Sequence, residues 1–171
     1  MLGRTHHYYK VRGMADVDYI ENAFVYCSEK EYERLPREMK ARMGDGRTLK
    51  RVRTSGDYRG TLGPFGLAFD AKQFSSERLQ LKKLPRHQVE ALCSFARPGG
   101  LAGFMVYAKQ AGTVYWVEAR QMRRLCDAAL TAAGLKTLNL SWFAQNAVRV
   151  CEVRPGDLVE YAETLFATMQ P

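Results

Sequence analysis

The sequence predicts an α/β fold, a single domain in which a mixed central β-sheet is flanked by α-helices. Three observations carry this expectation. Residues 57–72 read as a β-hairpin, with Gly60, Gly63, Pro64 and Gly66 supplying turn chemistry between two short strands. Residues 101–108 and 113–118 are apolar runs joined by a turn around Ala111-Gly112, as in central strands buried on both faces. Helical stretches follow each pair, over 85–95 and 122–133.

In chain order, residues 3–14 are basic and aromatic without a clear period. They read as a loosely docked tail or as a DNA-contacting arm carrying Tyr8, Tyr9, Arg4, Lys10 and Arg12. From Asp16 the spacing of Val17, Ile20, Phe24, Cys27 and Tyr32 predicts a helix, with Asp16 and Asp18 suited to its positive end. Pro36 opens a second helical piece over 37–43, ended by Gly44, and residues 48–54 are basic and β-compatible. Residues 73–83 form a polar connection. Pro85 suits the first turn of the next helix, which Arg97-Pro98-Gly99-Gly100 stops.

The helix over 122–133 places Met122, Leu125, Ala129 and Leu130 on its core side and ends at Gly134. Residues 138–153 show no clear period, and their Trp142 and Phe143 are expected in the core. Residues 154–157 read as a turn and N-cap for a last helix through Leu158, Tyr161, Leu165 and Met169.

The chemistry centres on Asp70-Ala71-Lys72. Side chains alternate across a strand, so Asp70 and Lys72 share one face while Phe69 and Ala71 take the other. Asp57 lies thirteen positions earlier, and the hairpin folds it back beside Asp70. Two carboxylates that close repel unless a cation lies between them. A hard ion such as Mg²⁺ suits one or two carboxylates completed by water and phosphate. Such a centre supports phosphodiester hydrolysis, with Lys72 orienting or deprotonating the nucleophile and stabilising charge on the phosphate. A bare D-x-K is otherwise an exposed ion pair of little consequence.

These motifs resemble those of the RecU-type Holliday-junction resolvases, within the PD-(D/E)xK nuclease superfamily. Asp57-Tyr58-Arg59-Gly60 is similar to the family's D-Y-x-G, Phe69-Asp70-Ala71-Lys72 to its F-E-A-K, and Leu81 with His87-Gln88-Val89-Glu90 to its F-P-L…H-Q-I-E run. Gly99-Gly100-Leu101-Ala102-Gly103-Phe104 and Val114-Tyr115-Trp116-Val117 resemble its following strands. The motif order is kept over residues 55–118. Two departures are Asp70, where the family usually carries Glu, and Ala68, where an acid is common.

The resemblance implies a restriction-endonuclease-like core, Mg²⁺ with Mn²⁺ as a possible substitute, junction DNA as substrate, and a homodimer. It marks Gln88 as a neighbour of the metal site and Glu21 as a candidate helical ligand, with Asp18 one turn away as the alternative. Residues 34–53 correspond by placement to a stalk that enters the junction centre.

Composition agrees with a nucleic-acid partner. The chain has 171 residues, 26 Lys+Arg against 18 Asp+Glu, and a formal net charge of +8. The charge is placed near the acids: Arg47, Lys50, Arg51, Arg53 and Arg59 surround Asp57, and Lys82, Lys83 and Arg86 lead into His87. The four cysteines, Cys27, Cys93, Cys126 and Cys151, lack C-x-x-C spacing, so a zinc site is not expected and free buried thiols are. No apolar segment reaches membrane-spanning length and no signal-peptide core is evident, which places the expected location in the cytoplasm.

Two rival readings remain at this level. One is a nuclease of the same fold acting on another DNA substrate, in nicking, repair or restriction. The other is a DNA-binding protein that keeps the fold without catalysis.

Overall fold

The computed structural model describes residues 2–20, 24–26, 49–51, 57–75, 78–154, 157 and 159–168. The chain forms two compact units, residues 1–19 with 55–171, and residues 20–54. In the smaller unit, β2 (Phe24–Tyr26) pairs antiparallel with β3 (Leu49–Arg51), Val25 opposite Lys50.

The larger unit is built on a six-stranded mixed sheet. Its strands are β1 (Ala15–Tyr19), β4 (Tyr58–Leu62), β5 (Phe65–Phe74), β7 (Leu101–Ala108), β8 (Thr113–Glu118) and β10 (Val148–Glu152), in that spatial order. All neighbours are antiparallel except β5 and β7, which run parallel and are joined through α2 (Arg86–Ala96). A parallel pair needs such a crossover, and the crossover lays a helix on one sheet face. The expected mixed sheet flanked by helices is therefore present, with β1 and β10 added at its edges.

The hairpin of β4 and β5 turns at Gly63-Pro64, where Gly63 has a φ of +55°, a left-handed conformation that a side chain disfavours. Gly60 lies inside β4 for a different reason. A Cβ there would fall 1.8 Å from the Asp16 carbonyl oxygen, so only glycine lets β1 approach.

Period-two alternation sends the sheet's side chains into two cores. On one face Ala68, Phe104, Val106, Tyr115 and Val117 pack under α2, α3 (Ala119–Ala128) and α4 (Leu140–Asn146), through Leu92, Met122 and Phe143. On the other, Leu67, Phe69, Met105, Val114 and Trp116 meet Tyr9, Tyr161 and Leu165 from α1 (Leu2–Val11) and the C-terminal segment with α5 (Ala162–Ala167). Each fully buried large apolar side chain contributes roughly 1.5–3 kcal/mol.

Several expectations are corrected here. Residues 2–11 are a docked helix burying Thr5, His6 and Tyr9, which ties the chain's two ends together. Thr5 Oγ1 accepts from the Val159 N–H at 2.8 Å, and the Tyr9 hydroxyl accepts from the N–H groups of Tyr161 (2.6 Å) and Ala162 (3.1 Å). Residues 15–19 are a strand, not the start of a helix. Asp16-Val17-Asp18 alternates acid and apolar, with Ala15 and Val17 buried, and that local period of two prevails over the longer helical spacing.

The connection after β5 is not merely polar. It holds β6 (Arg78–Gln80), paired with β9 (Thr137–Asn139), then a 3-10 turn (Leu81–Lys83), and it buries Leu79 and Leu81. Helix α3 ends at Ala128, so Leu130 is 74% exposed instead of facing the core. Residues 137–152 form β9, α4 and β10, where Asn139 caps α4 by accepting the Trp142 N–H at 2.9 Å. Arg154 and Asp157 make the expected turn, the Arg154 N–H donating to Asp157 Oδ2 at 2.8 Å, and α5 begins later than expected, at Ala162. The predicted helix over 37–43 lies outside the described residues.

Candidate metal centre on the hairpin

The register that pairs Tyr58 with Phe69 brings Asp57 opposite Asp70, as the hairpin reading required. Strand β5 runs on past the end of β4. The first N–H this frees, at Ala71, donates to Asp57 Oδ2 at 3.2 Å and so holds that carboxylate over the end of the pair.

Asp70 is 0% exposed, and its Oδ1 has no hydrogen-bond partner among the described residues. The Lys72 ammonium lies against Oδ2 as an ion pair. Burial, reinforced by the negative field of Asp57, pushes the Asp70 carboxyl up to about 7, while Lys72 opposes the rise. Lys72 Nζ also donates to Gln88 Oε1 at 3.4 Å, so the crossover helix α2 positions the ammonium from above the sheet.

A buried carboxylate with one oxygen unpartnered, beside a second carboxylate, is a donor set for a hard cation. Asp57 and Asp70 fit a divalent ion of this kind. Among the described residues no cluster of three or more Asp, Glu, His or Cys occurs; an ion of this kind also takes water and phosphate oxygens as ligands.

The structure thus gathers Asp57, Asp70, Lys72 and Gln88. Asp18 is on edge strand β1, in register with Arg59, and not on a helix. Glu21, Arg47 and Arg53 lie outside the described residues, and Lys50 and Arg51 fall in β3. Arg59 is exposed and stacks its guanidinium over the Phe95 ring at 5.5 Å, a platform the sequence did not suggest. Lys82 and Lys83 are exposed on the 3-10 turn. Arg86 is engaged within the protein, by Glu90 at 2.9 Å and Asp127 at 3.9 Å. Among the described residues Cys93 is free and buried and Cys126 and Cys151 are free and partly buried, burial raising each thiol, while Cys27 lies outside them. Among the described residues no helix is long and apolar enough to cross a membrane.

Two acids and a lysine, gathered where β5 runs on past the end of β4, have the residue types and order of the PD-(D/E)xK pattern. The comparisons narrow the class. The family described as Recombination protein U matches residues 1–166, and the chain belongs to that family, the RecU Holliday-junction resolvases. No curated protein matches the chain by sequence. Among solved structures it is similar to Hjc of Archaeoglobus fulgidus, a Holliday junction resolvase from an archaeal hyperthermophile. That likeness has 14% identity and a TM-score of 0.46, covering 86% of this chain and 95% of that one.

Proposed function

We propose that this protein resolves four-way DNA junctions by hydrolysing phosphodiester bonds with Mg²⁺, which Mn²⁺ can replace. The observation that supports this most is Asp70, an acid wholly withdrawn from solvent, with Oδ2 against the Lys72 ammonium, Oδ1 without a partner among the described residues, and Asp57 beside it. Asp57 and Asp70 would hold the ion, which when bound supplies Lewis acidity at the phosphate and acidifies a water.

The rest falls to the chain's own residues. Lys72 Nζ orients the attacking water and stabilises charge on the phosphoryl oxygens. Gln88 fixes the Lys72 ammonium through its side-chain carbonyl. Arg59, held on Phe95, offers a cation to the backbone of the bound duplex. Glu21 remains a candidate third carboxylate. A junction presents two equivalent strands, so a C₂ homodimer with one centre per protomer matches its symmetry. The expected setting is the cytoplasm.

The test compares junction, flap and linear duplex DNA with and without Mg²⁺. The parent should cut the junction only with metal, while Asp57→Asn, Asp70→Asn and Lys72→Ala should abolish cutting and still bind the junction. Cleavage of duplex in preference to junction would reject resolution. Undiminished cutting by Asp70→Asn would reject the centre.

A further inference from the structure

On the α2 and α3 layer, away from the acids, lies an open cavity of about 550 Å³ lined by Cys93, Arg97, Glu118, Arg120, Arg123 and Arg124. Four arginines and a single carboxylate, Glu118, line it. The spacing of Arg120, Arg123 and Arg124 puts all three on one side of α3, and Arg97 meets them from the end of α2. Two of the four are tethered within the protein, Arg120 to the Ala96 carbonyl at 3.4 Å and Arg123 to Asp127 at 3.7 Å. Arg97 and Arg124 are exposed and have no partner among the described residues. Cys93, buried, forms an uncharged floor. Like charges held this close repel one another, and an anion between them relieves the repulsion.

We propose that this arginine cavity is a second phosphate-binding site, which grips the backbone of the junction arm being cut at a distance from the acids. The proposal rests on the resolvase reading. Its geometry follows from α2. Gln88 stands at the metal centre and Arg97 nine residues further along, about 13 Å at 1.5 Å per residue. That is roughly four base pairs of duplex at 3.4 Å each. Arg59 on Phe95 lies next to the same end of α2, so cations continue from the hairpin to the cavity. The cavity is broad and its arginines are exposed, which suits a polymer backbone running across it better than a small anion enclosed within it.

The experiment measures junction affinity against salt in metal-free buffer, so that no strand is cut. Each phosphate contact contributes about 0.9 to the slope of log affinity against log salt. Replacing both unpartnered cations, Arg97→Gln with Arg124→Gln, should lower the slope by about 2 and weaken binding about tenfold, with an unchanged melting temperature. The charge-keeping pair Arg97→Lys with Arg124→Lys should restore the slope. Neutral methylphosphonate linkages three to five base pairs from the cut position, mapped with the parent and Mg²⁺, should weaken the parent and leave the Gln pair unaffected.

An unchanged slope in the Gln pair overturns the proposal, and if the parent still cuts junctions the resolvase reading survives it. Inorganic phosphate or a nucleoside triphosphate that raises the parent's melting temperature, together with that unchanged slope, would reassign the cavity to a free anion. Absence of any junction binding by the parent would remove the resolvase reading itself.

Discussion

Replacing Asp70 with asparagine should make the metal-free protein more stable while destroying its response to metal. The folded state raises the Asp70 carboxyl from 3.8 to about 7, so the native protein keeps a proton that the unfolded chain releases. The penalty is absent below about pH 3.8, grows as pH rises, and is complete above 7. A rise from 3.8 to about 7 makes it on the order of 4 kcal/mol.

Asparagine carries no such charge and can donate to Asp57, but it leaves part of a buried amide unsatisfied, at a cost of about 1–3 kcal/mol. The net expectation at pH 8 in chelator is a gain of about 2 kcal/mol, or about 4–8 °C in melting temperature for a protein of this size. Mg²⁺ at a hundredfold excess over its dissociation constant should stabilise the parent by about 2.7 kcal/mol and the variant not at all. Chemical unfolding at pH 5 and pH 8, with Mg²⁺ and with chelator, reads all four values. An Asp70→Asn protein less stable than the parent at pH 8 in chelator, or an equal Mg²⁺ response in both, would refute the reasoning.

Two further outcomes follow from the packing. His6 is buried among Tyr58, Phe69 and Tyr161, and burial lowers its pKa to about 4 against the pull of Asp18. The unfolded chain therefore takes up a proton that the native state refuses. Stability is retained above about pH 6.5 and falls by up to about 3 kcal/mol as pH drops toward 4. Subtracting the profile of His6→Phe from that of the parent should leave a slope confined to this window, and identical profiles would contradict the burial. Gly60→Ala should cost more than about 3 kcal/mol in urea unfolding, because its Cβ would sit 1.8 Å from the Asp16 carbonyl oxygen and force β1 off the sheet. A near-neutral change would show that β1 can shift without loss.

What the sequence made legible depended on whether a signal was local. The hairpin was readable because its turn residues and alternation lie within some fifteen positions, and Asp57, Asp70 and Lys72 came with it. Gln88 was legible only through the motif resemblance, since nothing local tells a helical glutamine that meets an ammonium from one that meets water. Helix α1 escaped notice because the side it buries is Thr5, His6 and Tyr9, polar and aromatic groups that give no apolar period. Their partners are backbone groups at 159–162, at the other end of the chain. Strand β1 was misread because its two buried residues, Ala15 and Val17, are too few to outweigh a coincidental helical spacing. The arginine cavity had a local trace in the Arg120, Arg123, Arg124 spacing, but its fourth member joins only when α2 and α3 pack together.

The bonds from Thr5 and Tyr9 to residues 159–162 bear on how the polypeptide folds as it is made. They close a loop of about 150 residues, among the most entropically demanding contacts a chain this long can form. On the ribosome helix α1 emerges long before its donors exist, and until residues 159–162 have been made Tyr9 has no backbone N–H to accept from. A nascent chain stalled before Val159 should leave α1 open to protease while the hairpin strands are already protected. Emergence of residues 159–162 would then act as the latch that seals α1 onto the sheet.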